Sequence, residues 1–491
     1  MHILPLFVAI PLGGAFFISI VSRKFKWIPD ILSNLITFTL LIMAFSTLGK
    51  GPFIYKMGGW PPPIGINLVL DGLSILMLVI ICTISFIATL FSIRYMEQYT
   101  SKSGYYTLFL LMVAGMNAVV LSGDMFNLYV FMEMAAIASY ALVAFGTEHE
   151  ELEASFKYAV MGIVASSFIL LGIVLLYSFT STLNMADMAQ VLTAKSSSSL
   201  VLFVSALFLM GFGLKAAQVP FHAWLPDAHP SAPAPISAML SGVLIKTLGI
   251  YALIRIFYNV FGITPVISQT FLAMGAISMV IGVLLALGQW DFKRLLAYHS
   301  ISQMGYVMLG IGLGTPLGIL GGLFHLVNHA AFKSLLFFNS GAIEYATDTR
   351  QLEEMGGLKE RMPVTSTTCS IASFSIAGIP PFNGFWSKLI IIIACIQAGK
   401  IFYGLVAVIV SILTLASFLK VQRYAIFGEL SLRLKTIKEV PVSMCISMVV
   451  LAVFCIGLGA LIVPGIREVV LSPAVEVLQN GVEYTKIVLG N

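Results

Sequence analysis

Residues 219–255 read VPFHAWLPDAHPSAPAPISAMLSGVLIKTLGIYALIR, where a proline-rich segment leads into a long apolar run that contains one lysine. Proline removes a helical hydrogen bond, so residues 219–235 predict a break in a helix. At membrane depth such a break is tolerated only where the backbone is buried in protein or lines a cavity. The apolar run that follows has the length of a membrane span, about 20 residues. This stretch therefore predicts a helical membrane protein with a broken helix.

The composition of the whole chain favours the same class. Of its 491 residues, 59% are hydrophobic and only 10% are charged, and the mean hydropathy is +0.98. An average soluble domain has about 25% charged residues. We therefore expect an all-α polytopic membrane protein with about fourteen transmembrane helices. We place the spans near residues 3–22, 29–48, 71–93, 104–122, 125–146, 155–180, 200–218, 236–260, 266–288, 294–313, 316–343, 363–397, 402–427 and 441–463.

A second break is predicted at residues 378–386, which read GIPPFNGFW. The five residues from Pro381, PFNGF, resemble the five from Pro220, PFHAW, which lie 161 positions earlier. A lysine accompanies each break, since Lys215 precedes Pro220 by five residues and Lys388 follows Pro381 by seven. Matching interruptions in two halves of a chain indicate inverted repeats with an ion site near the membrane midplane.

Five ionisable residues lie deep inside apolar runs, namely Glu133, Lys215, Lys246, Lys333 and Lys388. A charge at the bilayer centre costs about 2.5–3.5 kcal/mol even on the scale that penalises it least, so such residues face a protein interior or a wet cavity. Burial there disfavours the charged form of a side chain. The five residues together predict a path for protons or cations.

Glu133 needs a partner from another helix, because its neighbours three and four positions away include no base. We expect that partner to be Lys215. One interpretation is a fixed structural ion pair. The other is a switchable pair, in which the lysine keeps its proton while the carboxylate is near and can release it after the two separate. Both remain open from the sequence.

A polar stripe runs along one apolar helix, because His325, His329 and Lys333 are spaced i, i+4 and i+8. A histidine pair at this spacing can bind zinc, but no acid or cysteine lies nearby to complete a site. Histidine titrates near neutrality, which suits proton transfer. Lys246 is about ten residues from either end of its run, too far to reach an interface by snorkelling, so we favour a relay. A packed stripe without a transport role is the alternative.

The first break contains three further polar residues, His222, Asp227 and His229. They predict either a wet entrance on the side that carries most of the positive charge or ordinary capping and turn roles. The sequence does not favour one over the other.

Lysine and arginine counts predict the orientation. Loops and margins on one side hold 15 of these residues and those on the other side hold 7, with Lys420 and the four buried lysines set aside. Both termini are therefore expected outside the cytoplasm. The fifteen are Arg23, Lys24, Lys26, Arg94, Lys102, Lys157, Lys293, Arg294, Arg350, Lys359, Arg361, Arg423, Arg433, Lys435 and Lys438, and the seven are Lys50, Lys56, Lys195, Arg255, Lys400, Arg467 and Lys486.

Several other functions are not expected. The net charge of +5 reflects this topology and gives no reason to propose a nucleic-acid partner. The chain has no G-x-G-x-x-G, P-loop or haem motif, so we expect no cofactor and no redox chemistry in it. The five cysteines have no C-x-x-C spacing and are interpreted as small core residues, with no metal site. They are Cys82, Cys369, Cys395, Cys445 and Cys455.

Three long motifs resemble a known family. They are LPDAHPSAPAPISAMLSGVLIKTLGIYALIR, HLVNHAAFKSLLFFNSGAI and SIAGIPPFNGFWSKLIII. They are similar to the antiporter-like subunits of respiratory complex I, of Mrp-type multisubunit sodium/proton antiporters, and of membrane-bound nickel–iron hydrogenase and formate hydrogenlyase complexes. The segments HPSAPAPISA and FNGFWSKLIIIIACI are most similar to Mrp D-type subunits and to their counterpart in energy-converting hydrogenases.

The resemblance implies a domain organisation and a set of site residues. Helices 1–3 would occupy residues 1–103, two inverted five-helix repeats residues 104–262 (helices 4–8) and 263–430 (helices 9–13), and helix 14 with the tail residues 431–491, with helices 7 and 12 broken. The family's path residues fall on Glu133 in helix 5, Lys215 in helix 7, Lys246 in helix 8, His325 and His329 in helix 11, and Lys388 in helix 12. Some members carry glutamate where this chain has Lys388.

The leading functional hypothesis is a non-catalytic subunit of a multisubunit cell-membrane complex that moves protons along this path. The complex would be of the hydrogenase or Mrp type, with other membrane subunits, a second antiporter-like subunit and a peripheral redox arm as candidate partners. Sodium remains open as a coupled ion, although a lysine-rich path supplies few of the oxygen ligands that it prefers. The alternatives are a structural membrane anchor of a redox complex, with inert buried charges, and a solitary secondary transporter.

Overall fold

The computed structural model describes residues 3–22, 25–194, 199–430 and 432–490, and most of them are helical. The longer helices of the first half are α1 (Leu6–Val21), α2 (Ile28–Phe45), α3 (Gly72–Tyr95), α4 (Lys102–Leu121), α5 (Met125–Val143), α6 (His149–Thr180), α7 (Met185–Ala194), α8 (Ser199–Lys215), α9 (Leu225–Ser231) and α10 (Ala234–Asn259). An antiparallel pair of strands, β1 (Phe53–Lys56) and β2 (Asn67–Leu70), connects α2 to α3, with Phe53 opposite Leu70.

The second half continues the helical pattern. Its helices are α11 (Pro265–Leu287), α12 (Phe292–Gly312), α13 (Pro316–Thr347), α14 (Pro363–Ala377), α15 (Asn383–Gln397), α16 (Ile401–Val421) and α17 (Val442–Gly457), followed by the short α18 (Ile466–Val470), α19 (Ser472–Gln479) and α20 (Gly481–Leu489). A four-residue helical turn, Leu358–Arg361, precedes α14, and α16 ends in a wider π turn at Gln422–Ile426.

The chain is a multi-pass membrane protein, as its composition predicts. In the described part of the chain, nine helices are long and apolar enough to cross a membrane, and α1, α8 and α15 are shorter apolar helices. The positions of the apolar helices agree with the predicted spans to within several residues, except that the predicted span 363–397 is divided into α14 and α15. The total of fourteen spans and the inverted relation of the two repeats stay predictions.

Helices begin where polar residues cap them. Asp71 accepts a hydrogen bond from the Ser74 amide, and the Ser74 hydroxyl accepts one from the Asp71 amide, which forms a capping box at the start of α3. Asp71 therefore stabilises the N-terminus of α3. Further helices have a side-chain cap on the third amide, and these caps include Ser101, Asp124, Thr264, Asp291 and Thr315.

The core is built around α10 and α13. Every residue of α10 is buried, and α13 is buried from Gly318 to Ile343 with the exception of Leu320. Gly242 of α10 permits close packing against α13, because a side chain there would collide with the Ser334 hydroxyl. The outward faces of α2, α6, α16 and α17 carry exposed apolar side chains, which suit contact with lipid.

Both predicted breaks are present, but their bounds differ from the prediction. α8 ends at Lys215, and helical structure resumes at Leu225, so the first break begins earlier than residue 219 and is followed by helix within 219–235. Pro226 and Pro235 stand in the first turns of α9 and α10, where no hydrogen bond is lost, whereas Pro230 lies inside the short helix α9. The second break spans residues 378–382, and residues 383–386 are helical.

Two of the lysine and arginine residues that were used to predict the orientation are buried in helices and do not lie in loops. Arg255 is 2% exposed and Lys293 is 2% exposed, so neither serves as a surface charge. Arg255 lies inside the predicted span 236–260, and α12 begins at Phe292, before the predicted start at residue 294, so that it includes Lys293. Arg23, Lys24 and Lys195, which also entered the count, lie outside the described residues. The orientation of the termini stays a prediction.

Candidate functional site: a buried polar line

Glu133 and Lys215 form the predicted ion pair. The Lys215 Nζ lies 3.1 Å from Glu133 Oε1, and the Ser166 hydroxyl donates to the same oxygen. Lys215 also donates to the Tyr140 hydroxyl at 3.4 Å. Because Lys215 is the last residue of α8, the helix dipole favours its positive charge. The side chain of Glu133 is 22% exposed, whereas that of Lys215 is 4% exposed, so the pair reaches from the outer surface into the core.

A small cavity continues inward from Lys215. It measures about 10 Å³, close to the space that one water molecule requires, and its walls include Trp224 and Leu244. Ile245, the residue before Lys246, also lines it. The ion pair is therefore separated from the Lys246 segment of α10 by a gap of about one water.

Lys246 is completely buried at a distorted part of α10. Residues Leu240–Leu244 and Lys246–Tyr251 form π turns, which occur frequently at functional sites. The Lys246 Nζ donates to the carbonyl oxygens of Ser241, at 2.9 Å, and Gly242. Within the described residues it contacts no carboxylate. Since the side chain folds back on its own helix with 0% exposure, the snorkelling alternative is wrong.

The stripe on α13 faces this lysine. The Lys333 Nζ donates to Leu296 O and lies 5.4 Å from the centre of the Phe337 ring. His329 is completely buried, and among the described residues neither of its ring nitrogens has a hydrogen-bond partner. Gly242, one turn before Lys246 in α10, lies against Ser334, the residue after Lys333 in α13. The stripe and Lys246 therefore lie on two helices that pack closely together.

His325 connects the stripe to the second break. Its Nδ1 lies 2.9 Å from the Ser387 hydroxyl, and its Nε2 lies 3.2 Å from Gln303 Oε1. Ser387 immediately precedes Lys388 in α15. The ring of His325 also packs 5.4 Å from that of Tyr306. Because both nitrogens have a partner, this histidine is held in one orientation between α12 and α15.

Lys388 ends the line beside the second break. Its Nζ donates to Ile376 O at 2.7 Å and to the Ser411 hydroxyl at 3.3 Å, and it lies 4.8 Å from the centre of the Tyr306 ring. The first of these acceptors is a carbonyl near the end of α14, where helix carbonyls lack intrahelical partners. The break therefore supplies part of the cage that holds the lysine.

The three residues of the proposed entrance do not form one cluster. Asp227 lies in a surface pocket, where Lys157 and Arg294 pair with it at 3.1 and 3.4 Å. His229 is completely buried, with its ring 4.8 Å from that of Phe337. His222 is half-buried in the first break, and in the described chain no hydrogen bond joins it to the other two.

The sequence did not identify several residues of the site. The most prominent is Arg255, whose Nη1 and Nη2 lie 2.6 and 2.8 Å from the two carboxylate oxygens of Asp71. Its position five residues inside the predicted span 236–260 was a signal that it is buried. Gln303 and Tyr306 gave no comparable signal, because uncharged polar residues are common in membrane helices.

Comparison of sequence families identifies the class. Residues 122–414, more than half of the chain, match the family described as NADH:quinone oxidoreductase/Mrp antiporter, TM. Residues 62–106 match the family described as NADH-Ubiquinone oxidoreductase (complex I), chain 5 N-terminus.

Individual relatives cover most of the chain. This chain is 35% identical over 435 residues to the N-type subunit of the NADH-quinone oxidoreductase of Desulforudis audaxviator. The alignment covers 84% of this chain and 86% of the relative. The chain is 35% identical over 390 residues to the D-type subunit of the Na(+)/H(+) antiporter of Alkalihalophilus pseudofirmus, which covers 79% of each.

Solved structures share the fold over nearly the full length. A chain of the Mrp complex from a Dietzia species has a TM-score of 0.91 at 30% identity, with 99% of each chain covered. A chain of the membrane-bound sulfane sulfur reductase, described as an archaeal respiratory membrane complex, has a TM-score of 0.90 at 32% identity, with 100% of each covered. A chain of respiratory complex I from Thermus thermophilus shares the fold at a TM-score of 0.76 and 24% identity, covering 93% of this chain and 97% of that one.

Proposed function

Because the chain belongs to the family of NADH:quinone oxidoreductase and Mrp antiporter membrane subunits, we propose that it moves protons along its buried polar line within a larger membrane complex. The observation that supports this most directly is the environment of Lys246, Lys333 and Lys388. In the described residues these amines contact only uncharged oxygens and aromatic rings. A buried lysine without a carboxylate partner can adopt both protonation states, as a proton carrier must.

The proposed route follows the stripe along α13 toward the second break. Protons enter at the end of the line formed by Lys246 and Lys333, from the side with most of the positive charge, which is the cytoplasmic side if both termini lie outside. They pass His329 and His325, and they leave by Lys388. The Ser387 and Gln303 contacts of His325 favour this order, because they place that ring between the stripe and the second break.

The Glu133–Lys215 pair acts as a gate in this proposal. While the pair is closed, the carboxylate holds the positive charge of Lys215 next to α5. Opening the pair directs that charge toward α10 across the one-water gap, which electrostatically opposes a proton on Lys246. The partial exposure of Glu133 supports coupling to a neighbouring subunit on that face.

A structural anchor with inert charges is the second candidate. An anchor would be indicated by buried lysines that are dry and permanently paired with a carboxylate. Of the four buried lysines, only Lys215 has a carboxylate partner among the described residues. The contacts therefore support transport over anchoring.

Partners would be other membrane subunits, including a second antiporter-like chain, and any redox cofactors would reside in a separate arm. The list of copurifying subunits, above all a nickel–iron protein, distinguishes hydrogenase from antiporter complexes.

Transport by the reconstituted complex tests the proposal. The complex is purified with the Lys246→Ala variant, sealed into liposomes and assayed for proton movement with a fluorescent pH probe. We expect at least a tenfold loss, because a proton relay step contributes about 100-fold or more to a rate. Lys420→Ala is the matched control, since Lys420 also donates to backbone carbonyls but lies on α16 away from the line. Undiminished transport by an assembled Lys246→Ala complex would refute the proposal.

A further inference from the structure

A charged pocket opens beside α9, on the side with most of the positive charge. Its volume is about 580 Å³. Its walls carry both signs of charge, and we call it the charged vestibule after the residues Glu150, Lys157, Asp227, Asp291, Arg294 and Arg350. Arg350 pairs with Asp291 at 3.2 Å and also donates to Pro230 O, at the end of α9, at 2.8 Å. The vestibule therefore extends down to the helix that contains His229.

Glu344 connects the vestibule to the interior. Its Oε1 lies 3.8 Å from the Arg350 Nε, and its Oε2 lies 2.7 Å from the Lys293 Nζ. The side chain of Glu344 is 27% exposed, whereas that of Lys293 is 3% exposed. One carboxylate thus contacts a surface cation on one side and a buried cation on the other, on the last turns of the helix that carries the polar stripe.

His229 lies on the inner side of this pair. Lys293 donates to Ala232 O at 3.3 Å, three residues beyond His229 in the chain. The His229 ring is completely buried, and in the described part of the chain neither of its nitrogens has a hydrogen-bond partner. Phe337 contacts both His229 and Lys333, at 4.8 and 5.4 Å.

We propose that Glu344, Lys293 and His229 form the inner end of a proton entrance, which leads from the charged vestibule to the polar line at Lys333. This inference rests on the proposed function and adds the residues that load the line. In each transfer the donor loses one proton and the acceptor gains one, and Lys293 replaces from Glu344 the proton that it passes inward. His229, with two unengaged nitrogens, can accept on one and release from the other.

The sequence pattern of charges alone did not indicate this arrangement. Lys293 was counted as a loop residue, and Glu344 was not singled out. Their contact depends on the length of α13, which continues past the predicted end at residue 343 to Thr347 and so positions Glu344 over Lys293.

The dependence of transport on proton concentration tests the entrance. The complex is reconstituted with Glu344→Gln or with His229→Asn, and the initial rate is measured while the pH on the vestibule side is varied. We expect the proton concentration for half-maximal rate to rise about tenfold, the effect of losing one interaction with a charged group, with a smaller change in the maximal rate. Glu344→Asp should restore part of the affinity. Glu97→Gln is the matched control, because Glu97 pairs with Arg94 at an exposed position that does not line the vestibule.

The outcomes separate this inference from the proposed function. If Lys246→Ala abolishes transport while Glu344→Gln and His229→Asn retain the unaltered proton dependence, the entrance is wrong and the line stands. A fall in maximal rate without a change in the half-maximal proton concentration would indicate a purely structural role and would also overturn the entrance. If one variant does not assemble, the other decides, since the two side chains lie on different helices.

Discussion

Arg255 binds Asp71 through two parallel hydrogen bonds of 2.6 and 2.8 Å, which join the middle of the bundle to the first residue before α3. Both side chains are almost fully buried. Tyr251 adds a further contact, since its hydroxyl donates to Val120 O and accepts from Arg255 at 3.2–3.3 Å. A planar guanidinium and a carboxylate matched in this way give a strong and directional pair.

Breaking this pair from one side should destabilise the protein severely. Arg255→Met leaves the Asp71 carboxylate buried without its partner, and such a loss costs about 3–5 kcal/mol. We expect a markedly lower thermal unfolding midpoint in detergent. The double variant Arg255→Met with Asp71→Asn should recover part of the loss, because no buried charge remains. An equal midpoint for the single and double variants would contradict this account.

Gly378 permits the close approach of Lys388 to the second break. Its φ is +83°, and a Cβ there would lie 3.0 Å from the Lys388 Cδ and 3.3 Å from the Ser411 hydroxyl oxygen. Gly378→Ala should therefore displace the lysine and reduce transport several-fold. Gly399→Ala is the control, because Gly399 also has a positive φ, of +69°, but nothing within 4 Å of the added methyl group. Both variants incur the backbone cost of about 1–2 kcal/mol, so only the difference in transport tests the contact.

The two partners of His325 should matter for proton transfer more than for stability. Gln303→Leu removes the acceptor at 3.2 Å and Ser387→Ala the hydroxyl at 2.9 Å, which frees the ring to change orientation or tautomer. We expect each change to slow transport by about tenfold, with the unfolding midpoint shifted by a few degrees. Ser370→Ala removes a hydroxyl that bonds Gln422 away from the line and serves as the control. Equal effects of all three variants would argue against a special role for His325.

Glu133 should be sensitive to the loss of its charge. Glu133→Gln removes the carboxylate that Lys215 contacts at 3.1 Å and should abolish most transport, whereas Glu133→Asp should retain part of it. The readout is proton movement by the reconstituted complex, together with the yield of assembled complex. Glu97→Gln, at an exposed pair with Arg94, provides a control for removing a negative charge. Transport by Glu133→Gln at the unaltered rate would exclude the gate.

Much of the line was predictable because a charge in an apolar run is rare. Glu133 could be expected to pair with a lysine of another helix, since no base lies three or four positions from it, and Lys215 was the expected partner. The spacing of His325, His329 and Lys333 likewise placed them on one face. These inferences depend on local periodicity and on the cost of burying a charge, which the sequence shows directly.

Other parts depended on long-range packing. The Asp71–Arg255 pair joins residues 184 positions apart, and no local pattern relates them. Lys293 seemed to belong to a loop because it stands near the start of a span, yet the fold covers it with α9 and the end of α13. The bounds of the first break were wrong for a related reason. Prolines that disrupt the middle of a helix are favourable in its first turn, and only the structure shows which turn they occupy.

The π turns of α10 allow Lys246 to bind the backbone of its own helix. The amine of Lys246 closes back on the carbonyls of Ser241 and Gly242, so it acts as a clasp on the backbone of the helix that bears it. An ammonium group attracts those carbonyls more strongly than a neutral amine does. Under the proposed function, each arrival or departure of a proton at Lys246 would therefore tighten or loosen α10 itself, so that the proton carrier would also change the shape of the bundle.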